Sequence, residues 1–382
     1  MKMSAGAGRR VAVAMSGGVD SSVAAALLVE RGFDVFGITL DIWPDQSEGP
    51  GSRNCCSPES RDDARQVAEI LGIPHEVVDL KDLFARSVIE NFAGSYFEGL
   101  TPNPCIDCNR YIKFDALEDI AREAGAGAVA TGHYARIDEN GPDGRRRLLR
   151  GRDKTKDQSY VLYVLTQAQL DKAMFPLGGL SKQAVRTKAA ELGLPVADKP
   201  ESMDICFVAG NYRSFARSWA GRTGRKGPIY DIAGDLLGTH SGIENYTVGQ
   251  RRGLGIAIGE PAYVSHIDVE QNSITVGPRD ALSRNEFQVD DVNLVSVERV
   301  TTGTKAGVKV RSRMPELPAR LFPNGDAGLT VVTDEPAWAV APGQAAVFYD
   351  GDVVLGGGRV SRSARPLEEP VAALTGSHPS GV

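Results

Sequence analysis

The stretch "RRVAVAMSGGVDSSVAAALL", residues 9–28, decides the reading of the first half of the chain. Val11 to Met15 form a short apolar run of strand character, Ser16-Gly17-Gly18 breaks it, and the alanine-rich run after Val19 has the composition of a helix. Such a break gathers unpaired backbone N–H groups and the positive end of a helix dipole at one point, which suits a phosphate. Gly17 and Gly18 let the backbone come close, and Ser16, Ser21 and Ser22 offer hydroxyls. The stretch has neither the G-x-G-x-x-G spacing of a dinucleotide fold nor the Gly-Lys-Ser/Thr end of a Walker loop. It is a phosphate loop of another kind.

Around this loop the pattern to residue 195 alternates short apolar strands with amphipathic helices, the mark of a parallel sheet covered on both faces. Strands are expected at Val11–Met15, Val35–Thr39, His75–Leu80 and Ala128–Thr131. Helices are expected after Val19 and over Pro58–Leu71, Leu83–Tyr96, Phe114–Glu123 and Lys182–Leu192. The ligand crevice then falls at the strand C-termini, beside Ser16, Leu40 and Gly132. From Ser273 onward, "SITVGP", "AGVKVRSR" and "AAVFYDGDVVLGGGRV" alternate like strands between turns, which predicts a small β-barrel or sandwich. The expected divisions are a catalytic α/β domain over 1–198, a central domain over 199–272, a β-domain over 273–366 and a disordered tail over 367–382.

A length of 382 residues calls for two or three cores. No apolar run approaches a membrane span and "MKMSAGAGRR" has no signal-peptide core, so a cytoplasmic protein without a membrane partner is expected. A net charge of −6 gives no overall pull toward nucleic acid, yet basic residues cluster at 144–156, 217–226, 249–253 and 309–313. These clusters could meet phosphates.

Five cysteines beside loop signals do not make a secreted disulfide framework. In "TPNPCIDCNRYIKFDAL" (101–117), two prolines read as a rigid loop, and a Cys-x-x-Cys leads into a helix whose start would activate the Cys108 thiol. Cys206 lies in "ESMDICF", and Cys55 and Cys56 in "NCCSPES". Zinc needs a second paired spacing that is absent. Packed thiols, persulfide and disulfide exchange, and an iron–sulfur cluster stay open for Cys105, Cys108 and Cys206.

SGGVDSS resembles the PP-loop of ATP pyrophosphatases. With TPNPCIDCN, ATGHYA, KDQSYVLY, DICF, YTVGQRRGLGI and PGQAAVFYDGDVVLGGG following in order, nearly the whole chain is similar to the bacterial tRNA-specific 2-thiouridylase family. The resemblance implies a Rossmann-like PP-loop domain, a central domain and a C-terminal β-barrel. It implies a tRNA-uridine 2-sulfurtransferase that uses ATP and Mg²⁺ to adenylate C2 of the wobble uridine in tRNAs for Lys, Glu and Gln, then replaces oxygen by sulfur. By position in the family's motifs, Ala14, Met15, Ser16, Gly17, Gly18, Val19, Asp20, Ser21, Leu40 and Gly132 would bind ATP, and Asn103, Pro104 and Cys105 would meet the target base. Cys206 would take a persulfide from a sulfur-relay protein, with Cys108 as partner thiol and a transient Cys108–Cys206 disulfide. His133, Lys156, Asp157, Gln158, Arg311, Ser312 and Gln344 match tRNA-contacting positions, although Ser312 replaces an aromatic of some relatives. Many members carry Asp where Cys105 stands, so a [4Fe-4S] cluster on Cys105, Cys108 and Cys206 is the competing expectation. Another PP-loop ligase or amidotransferase would explain the loop but not the cysteines. An iron–sulfur RNA-binding regulator would explain the cysteines but not the loop.

Overall fold

The computed structural model describes residues 8–43, 58–139, 141–200, 205–208, 210–256, 259–325 and 328–362. Cys55, Cys56 and the expected tail lie outside them. The central strand β1 (Arg10–Ala14) is flanked in the parallel sheet by β2 (Asp34–Asp41) and β3 (His75–Asp79) on one side, and by β4 (Ala128–Ala130) and β7 (Ala173–Met174) on the other. Val11, Ala12 and Val13 are each 0% exposed, as a strand covered on both faces requires. Helix α1 (Val19–Glu30), α2 (Pro58–Leu71) and α8 (Lys182–Glu191) cover one face. The chain leaves β1 toward β2 and later returns to β4 on its other side, so the sheet changes direction at the C-terminal end of β1. This is where Ser16 stands.

The opposite face carries two helices longer than the sequence pattern suggests. The first runs through α3 (Lys81–Phe84), a π-helical turn at Ala85–Ile89 and α4 (Glu90–Phe97). The second, expected from Phe114, begins at Pro104: α5 (Pro104–Asp107) continues through a π-helical stretch at Cys108–Ala116 into α6 (Leu117–Glu123). Pro104 lacks only an N–H that the first turn leaves unpaired anyway, and Asn103 caps it, so the supposed rigid loop is a helix start.

The middle unit holds α9 (Tyr212–Ala220) and a four-stranded sheet in the order β10 (Tyr263–Asp268), β11 (Ser273–Gly277), β8 (Gly227–Asp231), β9 (Leu236–His240). "SITVGP", read as the first strand of the C-terminal domain, therefore belongs to the middle sheet. Six antiparallel strands, β12 (Ser283–Asn293), β13 (Thr304–Lys309), β14 (Leu317–Asn324), β15 (Gly328–Trp338), β16 (Ala345–Asp350) and β17 (Val353–Val360), then close into a barrel through the β12–β17 pairing. Of the two expected alternatives, barrel and sandwich, the barrel is what forms.

A hairpin from the first half, β5 (Ala135–Asp138) and β6 (Arg147–Arg150), extends the barrel sheet at β17, with Leu149 opposite Val353. Beside it, a Cβ on Gly357 would stand 2.9 Å from the Tyr163 ring. The Tyr160 hydroxyl donates to the Ala345 carbonyl at 2.7 Å, and the Thr101 N–H to that of Pro342 at 2.8 Å. Barrel and parallel-sheet domain thus share hydrogen bonds next to the Cys-x-x-Cys stretch. No helix among the described residues is long and apolar enough to cross a membrane.

Candidate active site

A cavity of about 610 Å³ opens at the C-terminal ends of β1 and β2, lined by every residue from Ala14 to Asp20 and by Leu40. Gly17 turns the chain at φ 67°, and a Cβ there would lie 2.0 Å from the Ser60 carbonyl oxygen at the start of α2. Only glycine fits both the left-handed turn and the close approach. Gly132 packs against the opening of α1, where a Cβ would stand 2.8 Å from the Ser21 nitrogen. The serines play another part than expected. Ser21 Oγ accepts from the Ser16 N–H at 3.1 Å and lies 3.1 Å from the Gly18 carbonyl, to which Ser22 Oγ also donates at 2.9 Å. These hydroxyls brace the loop, leaving backbone N–H groups and the helix dipole to meet an anion.

Two lysines that no local spacing announces complete the loop. Lys182, at the start of α8 behind its Ser181 cap, donates to both carboxylate oxygens of Asp20 at 2.7 and 2.8 Å, and the Tyr134 hydroxyl donates to the same carboxylate at 2.7 Å. Lys199 donates to the Gly17 carbonyl at 2.9 Å, to Ser60 Oγ at 3.1 Å and to Asp63 at 2.5 Å. With Lys113 and Lys156 also on the wall, the cavity is cationic around one neutralised aspartate. That charge pattern suits a polyphosphate.

The same cavity is lined by Pro104, Cys105, Cys108 and Cys206. Asn103 Oδ1 accepts from the Cys105 N–H at 3.1 Å. Cys105 is exposed in the first helical turn, whereas Cys108 is buried a turn further in, past the reach of the helix's open end, against Phe84, Ile112 and Phe207. Cys206 is half-buried, and its neighbour Phe207 sits among the rings of Phe84, Phe92 and Phe215 at 5.5, 5.3 and 5.4 Å. Between the two Cys-x-x-Cys thiols, buried Asp107 pairs with Arg359 of β17 at 2.5 Å. Burial pushes its carboxyl above the usual range although Arg359 and Arg110 pull it down. Among the described residues no group of three or more His, Cys, Asp or Glu side chains is placed to hold a metal ion, so the three thiols do not fit an iron–sulfur cluster as they stand.

The chain matches three family models in succession: a tRNA methyl transferase HUP domain over residues 9–210, a tRNA methyl transferase PRC-barrel domain over 220–278 and an aminomethyltransferase beta-barrel domain over 284–360. A tRNA-specific 2-thiouridylase MnmA of Heliobacterium modesticaldum is 47% identical over 356 residues, 92% of each chain. That of Chloroflexus aurantiacus is 49% identical over 353 residues, 92% of this chain and 98% of its own. The chain belongs to the tRNA-specific 2-thiouridylase family. Among solved structures, the U34-tRNA thiolase NcsA of Methanococcus maripaludis with its [4Fe-4S] cluster matches 55% of this chain and 64% of its own at 20% identity, with a TM-score of 0.35. That likeness is too partial to carry a residue-level argument.

Of the positions that the thiouridylase pattern assigns to tRNA, Lys156 and Gln158 reach the cavity, where Gln158 Oε1 also accepts from the Tyr134 N–H at 3.0 Å. Asp157 turns inward and accepts from the Gly151 and Ser159 N–H groups at 3.0 and 3.1 Å. His133 is buried between Phe114 and Phe175, with Nδ1 2.7 Å from Thr131 Oγ1. Burial, aided by Lys113, pushes its pKa well down, so it is a neutral packed ring. On the barrel, Ser312 is exposed, while Arg311 donates to the Ala339 carbonyl at 3.0 Å and lies 3.4 Å from Gln344 Oε1. The basic run at 144–156 differs most from its sequence reading. Arg146 pairs with Glu139 and Asp171, Arg147 with Asp138, and Arg150 with Glu316. Those arginines join the hairpin to its surroundings, whereas Arg222, Arg225, Lys226, Arg251 and Arg252 of the middle unit stand exposed.

Proposed function

We propose that the protein activates C2 of the wobble uridine in tRNAs for Lys, Glu and Gln with ATP and replaces the oxygen by sulfur, giving 2-thiouridine, AMP and pyrophosphate. The observation that carries this reading is convergence: the phosphate loop, the four lysines and the three thiols all line one cavity. Family membership at 47–49% identity over 92% of the chain supports the substrate class.

ATP would enter as a substrate, its phosphates on the loop between Gly17 and Ser21 and its adenosine toward Leu40 and Gly132. Mg²⁺ arriving on the triphosphate would neutralise charge that develops on the departing pyrophosphate. The uridine would leave the anticodon stack to reach Asn103, Pro104 and Cys105. The exposed basic residues of the middle unit would hold the backbone, positioning the RNA rather than choosing its sequence. C2 carries a poor leaving group until its oxygen is adenylated; AMP then departs with that oxygen. Sulfur would come as a persulfide on Cys206, supplied by a relay protein in the cytoplasm. The Cys108 thiolate closes a disulfide with Cys206, its electron pair displacing the outer sulfur, which keeps its own electrons and ends on C2. A thiol reductant must then supply two electrons to reopen the disulfide.

The test is nucleoside mass spectrometry of unmodified tRNA-Glu incubated anaerobically with the protein, Mg-ATP, cysteine and a cysteine desulfurase. The expected result is 2-thiouridine at position 34 that requires ATP, Cys108 and Cys206. Pyrophosphate release without tRNA would favour a different PP-loop ligase. Thiolation that survives Cys206→Ser would remove the persulfide route.

A further inference from the structure

The Lys199 ammonium has three protons and three acceptors: the Gly17 carbonyl, Ser60 Oγ and Asp63. It is therefore already engaged as a post rather than poised for a phosphate. Its carbonyl acceptor belongs to the peptide between the two loop glycines, and no described peptide is cis. In a trans peptide the Gly18 N–H points opposite to the Gly17 C=O, so holding one fixes the direction of the other. An anion on that N–H and a cation on that carbonyl polarise the same peptide in the same sense, and each strengthens the other.

Lys199 also begins the segment that leads to Cys206, seven residues on, a span of about 25 Å at most when extended. Its own carbonyl accepts from Arg186 at 3.2 Å, which ties the backbone at this point to α8. At the far end, Phe207 rests in the aromatic socket beside Cys108. The Lys199 side chain is thus where the phosphate loop grips the segment bearing the sulfur thiol.

We propose that Lys199 is a positioning residue that couples occupancy of the phosphate loop to the placement of Cys206. The inference rests on the sulfur-carrying role proposed for Cys206. It makes the sulfur arm settle when nucleotide is bound, so that the persulfide is presented when there is an activated base to receive it.

The test measures the alkylation rate of Cys206 by peptide mass spectrometry, with and without a saturating non-hydrolysable ATP analogue. Saturation is checked by titration calorimetry. In the wild type the analogue should slow labelling about fivefold or more, a typical size for coupling between two sites. In Lys199→Met that protection should vanish while the analogue still binds. Asp63→Asn, which leaves the lysine in place but removes its countercharge, should lose part of it. Full protection in Lys199→Met would mean that the nucleotide merely shields the thiol, and loss of analogue binding would make Lys199 a phosphate ligand; either result overturns the proposal, as does a wild-type rate indifferent to nucleotide. The assay uses neither tRNA nor a sulfur donor. Failure here and failure to form 2-thiouridine are therefore separate findings.

Discussion

Gly17→Ala tests the phosphate loop most sharply, because two independent penalties meet at one atom. At φ 67° an L-residue costs about 1–2 kcal/mol. The new Cβ would stand 2.0 Å from the Ser60 carbonyl oxygen, and since contacts under 3.0 Å are not tolerated, the loop and the start of α2 must part by about 1.0 Å. Overpacking against backbone adds about 1–3 kcal/mol, for a total of about 2–5 kcal/mol. For a domain of this size that lowers the melting temperature by roughly 4–20 °C. The functional cost is separate. A displacement of about 1 Å in a group that positions a substrate can reduce rate on the order of a hundredfold. Gly18→Ala is the control, since its nearest neighbour, Ser16 Oγ, would lie at an ordinary 3.6 Å and its φ is −105°. Thermal melts and tRNA-dependent pyrophosphate release on both variants should show Gly17→Ala impaired in each and Gly18→Ala close to wild type in stability. Gly17→Ala melting within about 1 °C of wild type with pyrophosphate release intact would refute the reasoning.

Lys182→Met strands Asp20 as an anion beside the phosphate site and should weaken ATP binding on the order of tenfold; Asp20→Asn combined with it should recover part of that loss in a calorimetric double-mutant cycle. Arg359→Met leaves Asp107 buried without its countercharge, at a cost of about 3 kcal/mol near neutral pH. Because burial already raises that carboxyl above the ordinary value, part of the loss should be regained as pH falls through the raised value and the acid protonates, which melting curves against pH would show. His133 has the opposite sign: its folded value lies below the ordinary 6.5, so the stability it contributes is complete above 6.5 and drains as pH falls toward the folded value. His133→Gln should flatten that acid slope without abolishing it, since burial pushes His75 and His240 the same way. Anaerobically purified protein offered iron and sulfide should stay substoichiometric in iron, and a full cluster lost on Cys105→Ala would reverse the reading of the thiols.

The parallel-sheet domain was legible because its signals are local. A strand, a glycine break and a helix start occupy twenty consecutive residues at 9–28, and the alternation of the barrel strands is equally short-ranged. The two lysines were not legible. Lys182 meets Asp20 across 162 residues and Lys199 meets Gly17 across 182, separations over which one sequence shows no periodicity. Pro104 misled in a different way, since proline is as much at home in a first helical turn as in a loop, and Asn103 capping Cys105 decided between them. The arginines at 145–150 looked ready for phosphate because their carboxylate partners, among them Glu139, Asp171 and Glu316, come from other elements. Charge runs show their sign in a sequence but not their neighbours.

The hairpin β5–β6 also sets a timetable. Leu149 waits for Val353, which the ribosome adds 204 residues later. At a synthesis rate of about 5–20 residues per second, roughly 10–40 s pass with that edge of the hairpin lacking the strand it will pair with. An open strand edge is a template for the wrong partner. The wall of the cavity that carries Cys105 and Cys108 is likewise without its Arg359 brace until the last barrel strand is made. A nascent chain can therefore hold a nearly complete phosphate loop long before the thiols beside it are braced. Assembly of the reactive cavity is among the last events in the making of the protein.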